Sequence, residues 1–378
     1  MINGPRTSPP WPYGLAQVAL VLLAFYRGFR APSMWSINYY QISWADGFLR
    51  RGLLGMFLLP LGCARFDPHV VWVIQYSVLA AALALLFRLG RNGAPAALAL
   101  CAFMASEAGT LFFNEVGYPD QILMLLTAGC GALLARERAW AAALLMAVAA
   151  LIHEMALFTV LPVVLVLWLR LPAGRRPSLW KLLLPMFLVL AALPLFSTSI
   201  PFAVLKRYDD LSIACGHPIG RRDFLLYYAE PFGQEFQFYY HGVELLAVVL
   251  PLVAALALWI MSGAAFPSAS RLERWAALLA CCCPLLLGYL GTDKNRWIML
   301  VLVQALLLLG IPRPKNEFPP RAQPGPYKKF ALVLPLLMVV FLTRIRLFDH
   351  FAARPLSAAG VMGFGSTLAG QLDHLPAQ

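Results

Sequence analysis

Charged residues are scarce in this chain. Asp, Glu, Lys and Arg make up 13% of its 378 residues, whereas an ordinary soluble domain contains about 25%. Hydrophobic residues reach 61%, so the chain lacks the polar side chains that would cover a water-facing surface. This deficit excludes a soluble globular protein and predicts an all-α polytopic membrane protein.

Acidic residues are scarcer than basic ones, with 18 Asp and Glu against 30 Lys and Arg. The net charge of +12 is spread as single bases and pairs between apolar runs, without a continuous basic face or a recognisable nucleic-acid module. Nucleic acid is therefore not among the expected partners.

Paired cysteine motifs and a cleavage site are also missing. The seven cysteines form no C-x-x-C pair, and most lie in apolar segments, so we expect neither a disulfide framework nor a zinc site. No small-residue cleavage site follows the first apolar run, residues 13–26. We interpret this run as a retained first helix rather than a removed signal peptide.

Eleven apolar runs are long enough, or nearly long enough, to span about 30 Å of hydrocarbon. They lie near residues 13–29, 69–88, 94–113, 119–135, 139–152, 155–169, 180–200, 243–261, 275–290, 297–311 and 329–343. Several have only about 15 residues, so flanking residues would have to complete the crossing. We expect one transmembrane domain, residues 1–343.

The orientation follows from Lys and Arg, which collect on alternate connections and mark the cytoplasmic side. The only acids on those connections are Glu137, Glu273 and Glu317. The N-terminus is therefore expected in the cytoplasm and the C-terminus outside. The outer segments are then 30–68, 114–119, 201–242, 291–296 and the tail 344–378, with a cytoplasmic linker at 312–328.

Two segments need interpretation. Residues 52–63 are apolar but too short to cross alone, so we expect an interfacial or re-entrant helix. Residues 139–169 could form one helix of about 46 Å. A single crossing would leave one basic loop outside, so we expect a hairpin with His153 and Glu154 at its outer apex.

The first outer loop contains Asp46, Arg50 and Arg51. On a helix Asp46 and Arg50 would be neighbours, which is typical of a surface ion pair, with Arg51 reaching the headgroups. The functional alternative makes Asp46 a general base beside a phosphate site built from Arg50 and Arg51.

The second outer turn contains Glu115 and Asp120, after a span that holds Glu107. Both acids could cap helix ends, and Asp120 directly follows Pro119. Capping is compatible with a role in a site, because acids within a membrane usually face a cavity or a partner.

His153 and Glu154 interrupt the run 139–169. They are not part of a zinc-protease motif, because H-E-x-x-H would require His where this chain has Leu157. A hydrogen-bonded pair inside the bundle and the polar wall of an outer cavity are the two interpretations.

Lys294 and Arg296 stand at the start of a predicted helix in the last outer turn. They could anchor the helix at the interface, or they could clamp a phosphate or pyrophosphate, because helix N-termini favour anions. In the long outer loop, Asp209 and Asp210 make a divalent cation possible, although two adjacent acids are a weak signal.

This architecture resembles the GT-C superfamily of integral membrane glycosyltransferases. The resemblance rests on a long first outer loop with Asp46 and a short helix, a second outer turn with Glu115 or Asp120, and a later large outer loop. It implies a polyprenyl-phosphate or polyprenyl-pyrophosphate sugar donor, with Asp46 as the base. Asp46 is followed by Gly47 rather than by a second acid, which departs from the superfamily's metal-binding pattern.

The resemblance further implies a glycan or lipid-linked acceptor, contact with membrane lipids, and a place in the bacterial inner (plasma) membrane. Its main rival is a lipid-linked glycan flippase or proton-coupled transporter, in which Glu107, His153 and Glu154 form a proton relay. Broken helices near the membrane midplane in two matching halves would favour that rival, and the sequence shows none clearly. A non-catalytic scaffold would leave the clustering of carboxylates on the outer side unexplained.

Overall fold

The computed structural model is helical over most of the chain that it describes. The described residues are 11–46, 48, 51–196, 202–217, 242–263, 266, 269–289, 294–311, 326–342 and 353–373. These residues contain no strand, which confirms the all-α prediction.

The α-helices are numbered here in chain order. They are α1 Trp11–Gly28, α2 Met34–Gln41, α3 Leu53–Leu58, α4 Pro68–Gly90, α5 Ala94–Ala105, α6 Glu107–Asn114, α7 Pro119–Leu134, α8 Ala139–Ile152, α9 Ala156–Thr159, α10 Leu161–Leu169, α11 Leu179–Phe196, α12 Phe202–Ala214, α13 Gly242–Met261, α14 Arg271–Cys282, α15 Lys294–Gly310, α16 Pro326–Leu342, α17 Ala358–Met362 and α18 Phe364–Asp373. Short 3-10 helices cover Trp44–Asp46, Leu59–Phe66, Ala173–Arg175 and Cys283–Tyr289.

Every apolar run predicted from the sequence coincides with a helix or with consecutive helices. Within the described parts of the chain, however, only α4 and α11 are long and apolar enough to cross a membrane. The bent pair α5 and α6 would add a third span. The predicted number of about eleven spans is therefore not confirmed, because most of the apolar helices are shorter than a full crossing requires.

Helix α15 forms the centre of the bundle. It packs against α4, α5, α6, α7, α10 and α14, and every residue from Trp297 to Leu308 is buried. A helix that is apolar all round is expected in such a position. Helix α11 is the opposite case, because it packs mainly on α8 and leaves Phe187 and Leu188 exposed.

Two apolar runs are interrupted by extended residues. Helices α5 and α6 meet at Ser106 with a bend of 72°, and the Ser106 hydroxyl donates to the Phe103 carbonyl. The second break lies at His153, between α8 and α9. Glu137 and Arg175, which flank α8 and α10, approach within 3.5 Å, so the chain reverses between them as the hairpin interpretation expects.

The bundle has two ends that differ in their polar contacts. We call the end with Arg51, Asp120 and Glu154 the outer end, following the predicted topology, and the end with Asn92 and Gly310 the inner end. At the inner end, the Asn92 amide donates to the Gly310 carbonyl at 2.5 Å, which ties the α4–α5 connection to the end of α15.

Arg170 fastens three elements at the inner end. Its Nε donates to Glu273 Oε1 at 2.9 Å, and its Nη1 donates to the Leu308 carbonyl at 2.5 Å. Its guanidinium carbon lies 5.0 Å from the centre of the Phe266 ring. One side chain therefore holds the ends of α10, α14 and α15 together.

The first outer loop folds over the outer end. Helix α2 begins after Ser33, whose hydroxyl accepts the Ser36 N–H, and most of α2 is buried. Helix α3 continues into the 3-10 helix Leu59–Phe66, so the short apolar segment 52–63 is largely helical. A glycine is required at Gly55, because a Cβ there would lie 1.9 Å from the Ile42 carbonyl oxygen.

A disulfide joins Cys63 to Cys215, which corrects the expectation that the cysteines would remain unpaired. The bond links the first outer loop to the residue that follows α12, 152 positions later. The sequence spacing could not predict it, because pairing depends on the tertiary approach of two distant loops. The described cysteines that stay free lie on α5, α7 and in the segment 281–283.

The C-terminal segment returns to the outer end of α1. Arg354 donates through Nη1 to the carbonyls of Tyr26, at 3.1 Å, and Phe29, at 2.5 Å. The Phe364 ring packs against Tyr26, with ring centres 5.5 Å apart. These contacts satisfy carbonyl groups that the end of a helix leaves without partners.

Candidate functional site

Asp120 and Arg296 form a closed two-pronged ion pair at the outer end. Arg296 Nε lies 2.5 Å from Asp120 Oδ2, and Nη2 lies 3.1 Å from Oδ1. Asp120 is in the first turn of α7, and Arg296 is in the first turn of α15. Both side chains are almost completely buried. Asp120 therefore uses both carboxylate oxygens to bind a guanidinium from the central helix.

Arg51 and Glu154 form a second pair of the same kind. Arg51 Nε donates to Glu154 Oε2 at 3.2 Å, and Arg51 Nη2 donates to Glu154 Oε1. Arg51 has a φ of 63°, a left-handed conformation that costs a residue other than glycine about 1–3 kcal/mol. Such a conformation persists only where surrounding contacts hold it, and it is common at functional sites.

His153 lies beside Glu154 in the break between α8 and α9. Its Nδ1 accepts the Met155 N–H at 3.1 Å and is 3.4 Å from Glu154 Oε2. On a regular helix, adjacent side chains point about 100° apart. Because the helix is broken here, the His153 and Glu154 side chains can approach each other. Both predicted interpretations of this pair, an internal contact and a cavity wall, are compatible with this position.

Two tyrosines connect the ion pairs. The Arg296 guanidinium lies 4.7 Å from the centre of the Tyr118 ring, and the Arg51 guanidinium lies 5.8 Å from that of Tyr39. The two rings are 5.8 Å apart, and Tyr39 is also 6.0 Å from the His153 ring. Guanidinium groups bind favourably over aromatic faces. The two ion pairs, His153 and these rings thus form one continuous cluster, which we call the outer cluster.

Glu115 is buried next to the outer cluster, at the C-terminal end of α6. Gly117 follows with a φ of 90°, and a Cβ there would lie 2.4 Å from the buried Gln75 side chain. The turn therefore needs glycine for both its backbone conformation and its close approach to α4. This tight turn fixes the approach of Tyr118 and Asp120.

A small cavity, with room for about one water molecule, lies directly inward of Asp120. Its polar lining comes from Asp120, Thr127, Thr159 and Gln304. Gln304 Nε2 donates to the Phe158 carbonyl at 2.9 Å. That carbonyl has no helical partner, because the residue four positions later is Pro162, which has no N–H. The Gln304 carbonyl oxygen is buried without a partner.

The electrostatics of the outer loops favour an ionised Asp67. Burial alone would raise the pKa of Asp67, but the hydrogen bond from the His69 N–H, the His69 ring and the charge of His217 lower it below its usual value. The Asp67 carboxylate accepts the His69 N–H at 2.9 Å and begins α4. His217 lies two residues after Cys215, so this charge interaction acts between the same two loops that the disulfide joins.

No group of three or more His, Cys, Asp or Glu side chains that could hold a metal ion occurs among the residues the structure describes. Asp209 is half-buried and Asp210 is exposed on α12. The possible divalent cation stays a prediction.

The structure brings together five of the residues singled out from the sequence. They are Arg51, Asp120, His153, Glu154 and Arg296. Arg50 lies outside the described residues, as do the side chains of Asp46 and Lys294 and most of the linker 312–328. Asp46 ends the 3-10 helix Trp44–Asp46, five positions before Arg51.

The sequence analysis did not single out four residues of this region. They are Tyr39, Tyr118, Gln304 and Cys215, which is disulfide-bonded to Cys63. A polar Gln in the otherwise apolar run 297–311 was a usable signal for Gln304. Cys63 and Cys215 both lie in predicted outer loops, unlike the other cysteines, which was the signal for the disulfide.

Comparisons with known proteins found no relative of this chain. No protein-family model matches the chain, and neither the curated proteins nor the solved structures give a significant match. The functional argument therefore rests on the residues and their geometry.

Proposed function

We propose that this protein is a membrane glycosyltransferase. It would move a sugar or oligosaccharide from a polyprenyl-phosphate or polyprenyl-pyrophosphate donor to a glycan or lipid-linked acceptor at the outer face of the membrane. The observation that carries the proposal is the outer cluster, in which four separate segments contribute two guanidinium forks, two carboxylates and a histidine. Guanidinium forks match phosphate oxygens as well as carboxylates.

The reaction is a displacement at the anomeric carbon of the donor. The acceptor hydroxyl oxygen forms the new bond to this carbon, and its proton passes to Asp46. The bond from the carbon to the phosphate oxygen breaks, and the electron pair leaves with the phosphate. Arg50, Arg51 and Lys294 stabilise the negative charge that develops on this leaving group, whereas contact of the predicted residue Arg296 with the phosphate requires its closed pair with Asp120 to open.

Asp120 and Glu115 are the second and third candidates for the base. Asp120 accepts both arms of Arg296, and Glu115 is buried at the adjoining turn. In the proposed enzyme Asp120 holds Arg296 in position. His153 and Glu154 form one wall of the substrate site, and the two tyrosines lie between this wall and the Asp120–Arg296 pair.

The protein would lie in the bacterial inner membrane with its N-terminus in the cytoplasm and its C-terminus outside. Two observations support this orientation. The disulfide joins two loops assigned to the outside, where oxidising conditions permit such bonds. The C-terminal segment contacts the end of α1 that is assigned to the same side.

Reporter fusions test the orientation. Fusions after Arg176, after Phe236 and after Gln378 should report inside, outside and outside. An inside result for the fusion after Phe236 would contradict the model.

Glycan transfer, or restoration of surface polysaccharide in a deletion strain, tests the chemistry. Asp46→Asn should lower the rate by about 10²- to 10⁴-fold, the range for loss of a general base, at unchanged protein levels. Asp120→Asn and Glu115→Gln are compared beside it, with the exposed inner residue Glu137→Gln as the control. Near-normal activity for Asp46→Asn with loss of activity per folded molecule for Asp120→Asn would move the base to the second turn.

One observation favours a second candidate, a lipid-linked glycan flippase or proton-coupled transporter. Helices α5 and α6 meet at a 72° break, and half-buried Glu107 begins the second helix. Broken helices of this kind occur at the substrate sites of transporters. Restoration of surface polysaccharide by all three variants, without glycan transfer by the purified protein, would favour this candidate.

A further inference from the structure

The two ion pairs of the outer cluster have the same chemistry but differ in access. Arg296 and Asp120 are 5% and 4% exposed, so this pair is closed to solvent. Glu154 is 18% exposed, while its partner Arg51 is 8% exposed. A dissolved or membrane-bound anion can therefore approach the second pair from the side of the Glu154 carboxylate.

The backbone under the second pair is also less regular. Arg51 sits in a left-handed turn between the 3-10 helix Trp44–Asp46 and α3. Glu154 sits in the break between α8 and α9. Asp120 and Arg296, in contrast, are in the first turns of regular helices. A side chain on an irregular segment can change its direction without the movement of a whole helix.

We propose that Arg51 exchanges its partner: a phosphoryl group of the donor replaces the Glu154 carboxylate on the Arg51 fork. This inference rests on the proposed function and names the step by which the donor's anionic group is bound. Before binding, Glu154 occupies the position of the phosphate oxygens and keeps the buried guanidinium paired. No covalent bond changes in this step.

The geometry of the two anions makes the exchange feasible. Arg51 presents Nε and Nη2 in one plane to two carboxylate oxygens, and two phosphate oxygens accept the same fork. An arriving phosphate repels the Glu154 carboxylate and favours its rotation toward solvent. Tyr39 remains beside Arg51 through ring contact and keeps the guanidinium in place.

The exchange predicts that Glu154 competes with added anions. A site whose competent state is only partly populated binds its ligand more weakly by that fraction, and removal of the competitor restores the affinity. Glu154→Gln should therefore bind an anion more tightly than the unsubstituted protein. If Glu154 instead held the bound anion as a fixed part of the wall, Glu154→Gln would bind the anion more weakly.

Inorganic pyrophosphate is the probe, measured by isothermal titration calorimetry on the full chain in lipid nanodiscs. Glu154→Gln should tighten binding by about tenfold, and Arg51→Gln should weaken it by at least about tenfold. Glu273→Gln makes the same substitution in the inner pair with Arg170 and should leave the affinity unchanged.

Unchanged or weaker binding by Glu154→Gln, with a folded protein, would overturn the exchange. Absence of pyrophosphate binding by every variant would overturn it as well. Glycan transfer is measured on the same preparations to separate the two proposals. If Glu154→Gln binds pyrophosphate more tightly but no preparation transfers a glycan, the glycosyltransferase is refuted and the exchange stands. If transfer depends on Asp46 but pyrophosphate binding does not depend on Glu154, the exchange is refuted and the glycosyltransferase stands.

Discussion

The outer and inner ends of the bundle both contain buried arginine–carboxylate pairs, but the pairs have different surroundings. At the inner end, Arg170 contacts Glu273, the Leu308 carbonyl and the Phe266 ring, and it joins three elements. At the outer end, two pairs stand side by side with two tyrosines, a histidine and a cavity. Burial of an ion pair therefore does not by itself indicate a site.

The Arg51–Glu154 pair differs from the Arg170–Glu273 pair in backbone conformation and in access. Arg51 has a left-handed backbone, and the Glu154 side chain is 18% exposed against 11% for Glu273. Arg170 and Glu273 lie on or beside regular helices. We infer that the inner pair stabilises the bundle and that the outer pairs combine stability with function.

The largest stability effect should come from breaking one partner of the inner pair. Glu273→Gln leaves the buried Arg170 guanidinium without a carboxylate, and loss of one partner of a buried pair costs about 3–5 kcal/mol. Thermal unfolding in detergent, followed by circular dichroism, measures this loss. The double variant Arg170→Leu with Glu273→Leu should recover part of it, because no lone charge remains. Equal midpoints for Glu273→Gln and the unsubstituted protein would contradict the stabilising role.

The disulfide gives the outer end a contribution that the inner end lacks. Cys63→Ser or Cys215→Ser should lower the free energy of unfolding by about 2–5 kcal/mol, because the bond restricts the unfolded chain over a long loop. Dithiothreitol should lower the unfolding midpoint of the unsubstituted protein and leave both variants unchanged. Cys101→Ala, on α5, is the control and should keep its response to reductant.

Glycine packing should also differ between the two ends. A Cβ at Gly28, at the outer end of α1, would lie 1.9 Å from the Thr110 carbonyl oxygen, which is part of the backbone. A Cβ at Gly90, at the inner end, would meet the ends of the Leu100 and Gln17 side chains, which can move. Gly28→Ala should therefore cost at least about 1–3 kcal/mol and Gly90→Ala less, by the same unfolding measurement. Equal losses would contradict the difference.

The smallest effect concerns single hydrogen bonds. Gln304→Leu removes the donor to the Phe158 carbonyl, at 2.9 Å, and to the Thr159 carbonyl, at 3.2 Å, and should cost about 1–2 kcal/mol. Pro162→Ala supplies a helical N–H for the same carbonyl, so the double variant should lose less than the sum of the two single variants. Asn92→Ala, which removes the donor to Gly310 at the inner end, should cost a similar amount. If the losses in unfolding free energy for Gln304→Leu and Pro162→Ala were additive, the two positions would not share the Phe158 carbonyl as a partner.

The sequence predicted the all-α class and five side chains of the outer cluster, but not its two tyrosines. Apolar runs separated by basic connections restrict the chain to helices, and alternation of the bases assigns Arg51, Asp120, His153, Glu154 and Arg296 to one side. This assignment limits which residues can be neighbours, but it does not say which residues form pairs.

The pairings themselves could not be read from the sequence. Asp120 and Arg296 are 176 positions apart, and Arg51 and Glu154 are 103 positions apart, so their contacts depend on the packing of α15 against α7 and of the first loop against the break. The number of spans is not confirmed. Hydrophobicity alone also does not reveal that Ser106 bends the run 94–113 into two short helices.

The central claim is that the Arg51 pair acts in the reaction while the Arg170 pair only stabilises the bundle. Arg51→Lys and Arg170→Lys test it directly, because each keeps the charge and removes the two-pronged fork. The measurement is glycan transfer per folded molecule, with the folded fraction determined from thermal unfolding. The account predicts at least a tenfold loss of transfer for Arg51→Lys and near-normal transfer per folded molecule for Arg170→Lys, despite its lower midpoint. Equal transfer by both variants would contradict it.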